Sequence, residues 1–310
     1  MKIFNSLHEI KNIKPTVTAL GNFDGVHKGH QELIRRTLRA ADAAGLKSAV
    51  FTFSNHPRNL TGEHPVKNII YADEKAAIIE RLGIDYLFNI PFSDEIRVLS
   101  PSEFIDQLLI DRFCMKEGYC GFNYRFGYRA AGDPKTLMEQ GLIKGFGLHV
   151  LEPYKIDGKI VSSTLIRELI ESGSVDQCMK YMGRYYAIAG EVVVGNRLGK
   201  KIGFPTSNLN IDDRMVSPPN GVYITQSFYN GVCYPSITNV GCKPTIGEYQ
   251  KNVETHIFNF EKELYGKMIR VEFLQKLRDE RRFSSVEELS KEITANCITA
   301  KAYHRQRGAL

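Results

Sequence analysis

Residues 21–30, Gly-Asn-Phe-Asp-Gly-Val-His-Lys-Gly-His, carry the reading on which the fold turns. They follow an apolar, β-branched run from Thr16 to Leu20 and lead into a segment whose Leu33, Ile34, Leu38 and Ala41 share one helical face before Gly45. A strand–turn–helix unit of this kind is where α/β proteins bind phosphates, because the unpaired N–H groups at the start of a helix attract anions. Gly21 and Gly25 allow a tight turn and close approach of backbone to a ligand. His27 and His30, three residues apart, share one face of the first helical turn. Two imidazoles so placed can donate hydrogen bonds to phosphate oxygens as their charge grows in a breaking bond. Asp24 can accept a hydrogen bond or help hold the magnesium that accompanies nucleotide phosphates. A lone H-x-x-H reads better as a Gly-rich turn with two surface histidines, and the nucleotide reading draws its strength from the whole ten-residue string. A zinc-protease helix needs histidines four apart with an intervening Glu, and Gly195–Lys200 has the wrong spacing for a P-loop.

Working outward, Ser48–Phe53 and Tyr86–Phe92 read as further strands, with a helical pattern (Ile78, Ile79, Leu82) between Asp73 and Gly83. Ser100-Pro101-Ser102-Glu103 supplies an N-cap, a first-turn proline and a capping-box glutamate ahead of Phe104, Leu108 and Leu109. The first half is therefore α/β with a parallel sheet. Beyond Gly183 strand-like runs follow one another directly: Ala187–Val194, Val222–Phe228, Ser236–Val240, Val253–Phe260 and Met268–Leu274. That succession predicts an antiparallel sheet or barrel, with Asn230-Gly231 as a tight hairpin turn. Ser285 and Glu288 open a closing helix through Leu289 and Ile293. The expected domains are residues 1–183 and 184–310.

Composition fits this picture. The 310 residues suffice for two ordinary domains, and 43% hydrophobic with 25% charged residues is the balance of a folded globular chain. No apolar run approaches the ~18–20 residues that cross a bilayer, and the first residues lack a signal-peptide pattern. The six cysteines are scattered, without a C-x-x-C pair, which suits reduced thiols in a cytoplasm. A net charge of +6 favours anionic small molecules as readily as nucleic acid. Oligomeric state is not legible.

Three more groups of residues carry chemistry. Ser162, Ser163 and Thr164 crowd the start of a helix marked by Leu165, Ile166, Leu169 and Ile170, with Arg167 one turn in. Plain N-capping explains one hydroxyl of the three, and Arg167 could equally form a surface ion pair. Asn123, Tyr124 and Phe126 could clasp a flat ring or form part of a core strand, and Asn55 could contact nucleotide or flavin. Thr206 and Asn208 follow a basic, glycine-bearing stretch with Lys201 and Gly203, as a loop holding Mg-ATP should, and their oxygens suit magnesium, but by itself Pro-Thr-x-Asn is a common structural turn. Glu254 interrupts a run that otherwise alternates like a half-buried strand.

The string G-x-F-D-G-x-H-x-G-H resembles the nucleotidyltransferase signature of the prokaryotic bifunctional riboflavin kinase/FAD synthetases, an HxGH variant. His56-Pro57, Gly121 to Gly127 (GFNYRFG) and Ser162 to Arg167 (SSTLIR) continue the resemblance in order. Gly203 to Asn208 (GFPTSN), Asn239-Val240-Gly241 with Pro244-Thr245, and Glu254-Thr255-His256 resemble the riboflavin kinase module. Gly183-Arg184-Tyr185-Tyr186 departs from the usual G-R-P-[YF] at the junction. The resemblance implies a Rossmann-like parallel-sheet domain that turns FMN and ATP into FAD and pyrophosphate. It also implies an antiparallel β-barrel with a C-terminal helix that phosphorylates riboflavin with ATP, giving FMN and ADP.

By the same resemblance, Gly21, Phe23, Asp24, Gly25, Ser163, Thr164 and Arg167 contact ATP in the first half, with His27 and His30 catalytic. Lys201, Gly203, Thr206 and Asn208 contact Mg-ATP in the second, Thr206 and Asn208 through Mg2+. Asn55, Asn123, Tyr124, Phe126 and Arg278 fall to the flavin. A ribityl hydroxyl needs a base to attack phosphorus, a task for Glu254, whereas the FMN phosphate is already an anion. The alternatives are an FAD synthetase whose second half only binds flavin, and an RNA-binding protein; no basic stripe supports the latter, so neither nucleic acid nor membrane is an expected partner.

Overall fold

A strand buried at every position sits inside a sheet covered on both faces, and Thr16–Leu20 (β2) is such a strand. In the computed structural model it lies between β3 (Lys47–Phe53) and β5 (Met115–Gly121), parallel to both. β4 (Tyr86–Ile90) extends the sheet beyond β3, β1 (Lys2–Phe4) pairs with β4, and β6 (Gly147–Leu151) pairs with β5. The order is β1-β4-β3-β2-β5-β6. The structure describes residues 1–55, 57, 59, 66–195, 199, 202–245 and 248–308, and side chains other than those of 243–250.

Helix α1 (Lys28–Ala44) buries Leu33, Ile34, Thr37 and Ala41 and ends at Gly45, whose φ of 63° closes the last turn. Helix α2 (Ala72–Arg81) buries Lys75, Ala76, Ile78 and Ile79. The capping box at Ser100 forms as expected, and the turn Pro101–Glu103 continues as a π-helix, Phe104–Arg112, labelled α3. Its Phe104, Ile105, Leu108 and Leu109 join Phe51, Phe88 and Phe113 in the core, where Phe88 and Phe113 stack at 4.3 Å. The chain runs from β2 outward through β3 and β4, then returns to place β5 on the other side. The carboxyl ends of β2 and β5 thus border the switch point where open α/β sheets bind ligands. β1, β5 and β6 are strands that the periodicity did not predict. Helix α4 (Pro134–Lys144) and a two-stranded hairpin, β7 (Lys155–Ile156) with β8 (Lys159–Ile160), complete the outer surface.

The chain divides into compact units Met1–Ser163 and Thr164–Leu310, earlier than the boundary expected at 183/184. The difference has a packing cause: the short helix Val175–Gln177 lies against β14 (Met268–Asp279), so residues 164–183 belong by contact to the second unit. Helix α5 (Ser163–Glu171) begins at the division.

The second sheet is antiparallel throughout. Its strands are β9 (Tyr186–Glu191), β10 (Ser207–Asn210), β11 (Gly221–Tyr229), β12 (Val232–Thr245), β13 (Glu248–Ile257) and β14, in the order β10-β13-β12-β11-β14-β9. Val193, just past β9, bridges Asn208 on β10 and brings the two ends of the sheet together as a barrel. Asn230 (φ 49°) and Gly231 (φ 77°) make the hairpin turn between β11 and β12. One face packs Val222, Ile224, Ile237, Phe258 and Leu274 against Cys297 and Ala300 of α6 (Val286–Gln306). The opposite face carries a ladder of buried hydroxyls, Ser227, Ser236, Thr225, Thr238 and Thr255, linked at 2.8–2.9 Å.

Candidate active sites

The turn after β2 is bent where a turn is hard to bend. Phe23 (φ 49°), Gly25 (φ 76°) and Val26 (φ 34°) all adopt positive φ. For a β-branched residue such as Val26 that conformation is strained, and strain of this kind collects at functional sites. A side chain at Gly21 would press on the Phe23 ring 3.1 Å away, so the ring would have to give way to it. Hydrogen bonds from within and around it hold the turn. The Val26 N–H donates to the Phe23 carbonyl (3.1 Å), and the Gln31 amide to the Val26 carbonyl (2.9 Å). The Ser163 hydroxyl donates to the Asp24 carbonyl (2.9 Å). The Ile69 N–H donates to both Asp24 carboxylate oxygens (3.0 and 3.2 Å), so this buried carboxylate acts as a hydrogen-bond acceptor.

His27 caps α1: its Nδ1 accepts the His30 N–H at 3.2 Å. An accepting Nδ1 leaves the ring proton on Nε2, the tautomer that can donate to a ligand. The two imidazoles stack at 3.6 Å and 15°, with the Phe23 ring edge-on to His30 at 5.1 Å. Thr164, exposed, and Arg167, half-buried, lie on α5 in the second unit.

The residues expected to hold flavin are spread over different roles. Asn55 lines a cleft with Asn22, Asp24 and Lys75, but its amide both donates to the Phe92 carbonyl (3.1 Å) and accepts the Phe92 N–H (2.6 Å). Phe126 is core: 5% exposed, it packs on Phe104 and on Tyr124, whose ring lies parallel to it at 5.8 Å. No strand forms at 123–128; Phe126 makes a single bridge with Gly132. Asn123 is exposed at the carboxyl end of β5, beside the switch point. Arg278 is tied to α6, its Nε meeting Glu292 Oε1 (3.1 Å) and Asn296 Oδ1 (3.0 Å).

In the barrel, register builds the site. Glu254 on β13 is directly opposite Asn208 on β10 and Asn239 on β12, which puts the three side chains in one cross-strand row. Asn252, 3% exposed, donates its amide to Glu254 Oε1 and to Asn208 Oδ1, both at 3.2 Å. His256, on the same face two residues on, holds the loop before β10 through its Nδ1 and the Pro205 carbonyl (2.8 Å) and packs edge-on to Phe204. Burial pulls the His256 imidazole below its ordinary pKa. Thr206 is half-buried in that loop, and Gly203 stands exposed at φ 86°. Lys201 and His56 lie outside the described residues.

Asn252 and Lys75 were missed by the sequence reading, and His256 was named only within the Glu254-Thr255-His256 motif. Lys75 left a trace, since it starts an i, i+3, i+4, i+7 stripe with Ile78, Ile79 and Leu82. Asn252 left none, being recruited only by strand pairing.

A parallel α/β unit with two stacked imidazoles at a strand–helix turn, followed by an antiparallel barrel presenting a carboxylate between two amides, is the arrangement of a two-module transferase, and the comparisons with known proteins agree. Residues 9–165 match the family described as FAD synthetase, and residues 182–304 the family described as riboflavin kinase. The bifunctional riboflavin kinase/FMN adenylyltransferase of Bacillus subtilis is 35% identical over 283 residues, covering 90% of this chain and 89% of its own. The Escherichia coli K12 protein of the same description is 30% identical over 308 residues, covering 98% of each chain. A solved structure of a macrolide-efflux protein from Streptococcus pneumoniae superposes with a TM-score of 0.87 at 30% identity, over 96% of this chain and 98% of that one. The chain belongs to the bifunctional riboflavin kinase/FAD synthetase family. Among the described residues no helix is long and apolar enough to cross a membrane.

Proposed function

We propose that this chain makes flavin cofactors in two ATP-dependent steps: the barrel half phosphorylates riboflavin to FMN, and the α/β half adenylylates FMN to FAD. One observation carries the reading: the two units hold unlike polar sets, each suited to one half-reaction. In the kinase half Glu254 takes the proton of the ribityl hydroxyl, whose oxygen attacks the γ-phosphorus while ADP leaves. In the other half a phosphate oxygen of FMN attacks the α-phosphorus of ATP and pyrophosphate leaves. That step needs no base, only donors for the departing charge, which His27 and His30 supply from the mouth of α1.

Gly21, Phe23 and Gly25 shape the turn that receives ATP, and Asp24 and Ser163 keep it closed. Thr164 and Arg167 keep the triphosphate roles that the family resemblance implies. Asn123 is the flavin contact best placed by exposure at the switch point. In the kinase half Lys201, Gly203, Thr206 and Asn208 receive Mg-ATP. The donor set fits a hard cation, since Thr206 and Asn208 offer a hydroxyl and an amide oxygen. Thr206 and Asn208 would hold Mg2+ together with the nucleotide's own phosphates, where it would neutralise charge on the transferred group. We place the working boundary at 183/184, with the reaction in the cytoplasm and no nucleic acid or membrane involved.

The test is a time course with riboflavin and Mg-ATP, and a parallel one from FMN, resolved by chromatography. Successive appearance of FMN and FAD is expected. FAD from FMN with riboflavin untouched would reduce the barrel to a binding module.

A further inference from the structure

Lys75 is a lysine where the pattern asks for an apolar side chain. It is 7% exposed, on the inward face of α2. Its ammonium donates to the Phe53 carbonyl (2.6 Å), the Thr52 hydroxyl (3.0 Å) and the Asn22 carbonyl (3.4 Å). The Thr52 hydroxyl in turn donates to the same Asn22 carbonyl at 2.8 Å. These contacts tie the second residue of the strained turn to the carboxyl end of β3. All three acceptors are neutral, and Asp24 supplies an opposite charge nearby. Burial lowers the pKa to about 8 while Asp24 pulls it back up, so the ammonium stays charged at neutral pH. A methionine would fill the same space without desolvating an ion. The charge instead faces a cleft bordered by Asn22, Asp24, Asn55 and Asn68, at the end of the sheet where anionic substrates arrive.

We infer that Lys75 is a positioning residue of the adenylyl-transfer site, bracing the 21–30 turn from behind and giving the cleft floor a fixed positive charge. The inference rests on the reading of that turn as the adenylyl-transfer site. Because the brace sets where His27 and His30 meet the departing pyrophosphate, its loss falls on the chemical step more than on substrate binding.

The experiment measures kcat and KM for FAD formation from FMN and Mg-ATP in the full chain, with riboflavin phosphorylation as internal control. Lys75→Met is expected to lower kcat ~100-fold, with either KM changed less than about threefold and phosphorylation unaltered. Lys75→Arg, which keeps the charge, is expected to return kcat to within about tenfold of the parent. His27→Ala in parallel separates the two ideas. FAD formation surviving in His27→Ala overturns the site itself. FAD formation lost there while Lys75→Met keeps kcat within about twofold overturns the role of Lys75 alone. An arginine variant as slow as the methionine variant overturns the role of its charge. If Lys75→Met does not fold, Thr52→Val decides: it removes the shared hydroxyl at nearly equal volume and should cost about tenfold in kcat, and an unchanged kcat overturns the brace.

Discussion

The first unit sets its two stacked histidines within ten consecutive residues at the mouth of one helix, whereas the second brings its carboxylate and amides together from three strands. His27 and His30 meet because they are three apart on α1; Asn208, Glu254 and Asn239 meet because β10, β13 and β12 pair in one register. On the proposed function, the difference matches the needs of each reaction. Stabilising a departing phosphate calls for donors, which a helix start provides locally. Deprotonating a hydroxyl calls for a carboxylate held at a fixed angle, which a rigid sheet with amide neighbours provides.

Breaking one half should therefore spare the other. The largest effect is expected for His27→Ala with His30→Ala, which removes both donors: FAD formation should fall at least ~1000-fold while riboflavin phosphorylation stays intact. Glu254→Gln should do the reverse, lowering phosphorylation ~100–10,000-fold with adenylylation of supplied FMN unchanged. Asn252→Ala leaves Glu254 and Asn208 without their shared donor, and about a tenfold loss of kinase kcat is expected, read in the same coupled assay.

The halves should also part company with pH. Burial lowers the pKa of both His256 and His304, so below about pH 6.5 the unfolded barrel binds more protons than the folded one. Barrel stability is thus full above that pH and lost as pH falls below it. Lys75 titrates at about 8 when folded against 10.5 unfolded, so the first unit gains stability as pH climbs between those values. The gain is about 3 kcal/mol at most. Differential scanning calorimetry from pH 5 to 10 should show the barrel transition fall on the acid side. In the α/β unit the buried Cys120, Tyr119 and Tyr124, whose pKa values burial raises, oppose the Lys75 gain above about pH 9, so the gain is read as a difference: between pH 8 and 10 the first transition of the parent should rise relative to that of Lys75→Met.

What could be read from the sequence divides along the same line. The 21–30 turn, the Ser100 and Ser285 caps and the Asn230-Gly231 hairpin are written in adjacent residues, and the structure contains each of them. β5, Met-Lys-Glu-Gly-Tyr-Cys-Gly, carries no β-branched residue and is a strand because β2 and β6 flank it. A side chain at its Gly118 would meet Leu148 at 3.1 Å and Met115 at 3.2 Å, a constraint visible only in the packed sheet. Phe126 could have faced a flavin or the core, and contact with Phe104 decides for the core. Glu254 stood out as a charge in an alternating run, but Asn252, which orients it, reads as one more polar residue until pairing is known.

The most direct test of two separate sites in one chain is complementation with riboflavin and Mg-ATP as the only substrates. His27→Ala alone should stop at FMN, and Glu254→Gln alone should leave riboflavin unchanged. Mixed, the two variants should produce FAD, the FMN released by one being adenylylated by the other. FAD from either variant alone, or none from the mixture of two folded proteins, would contradict the account.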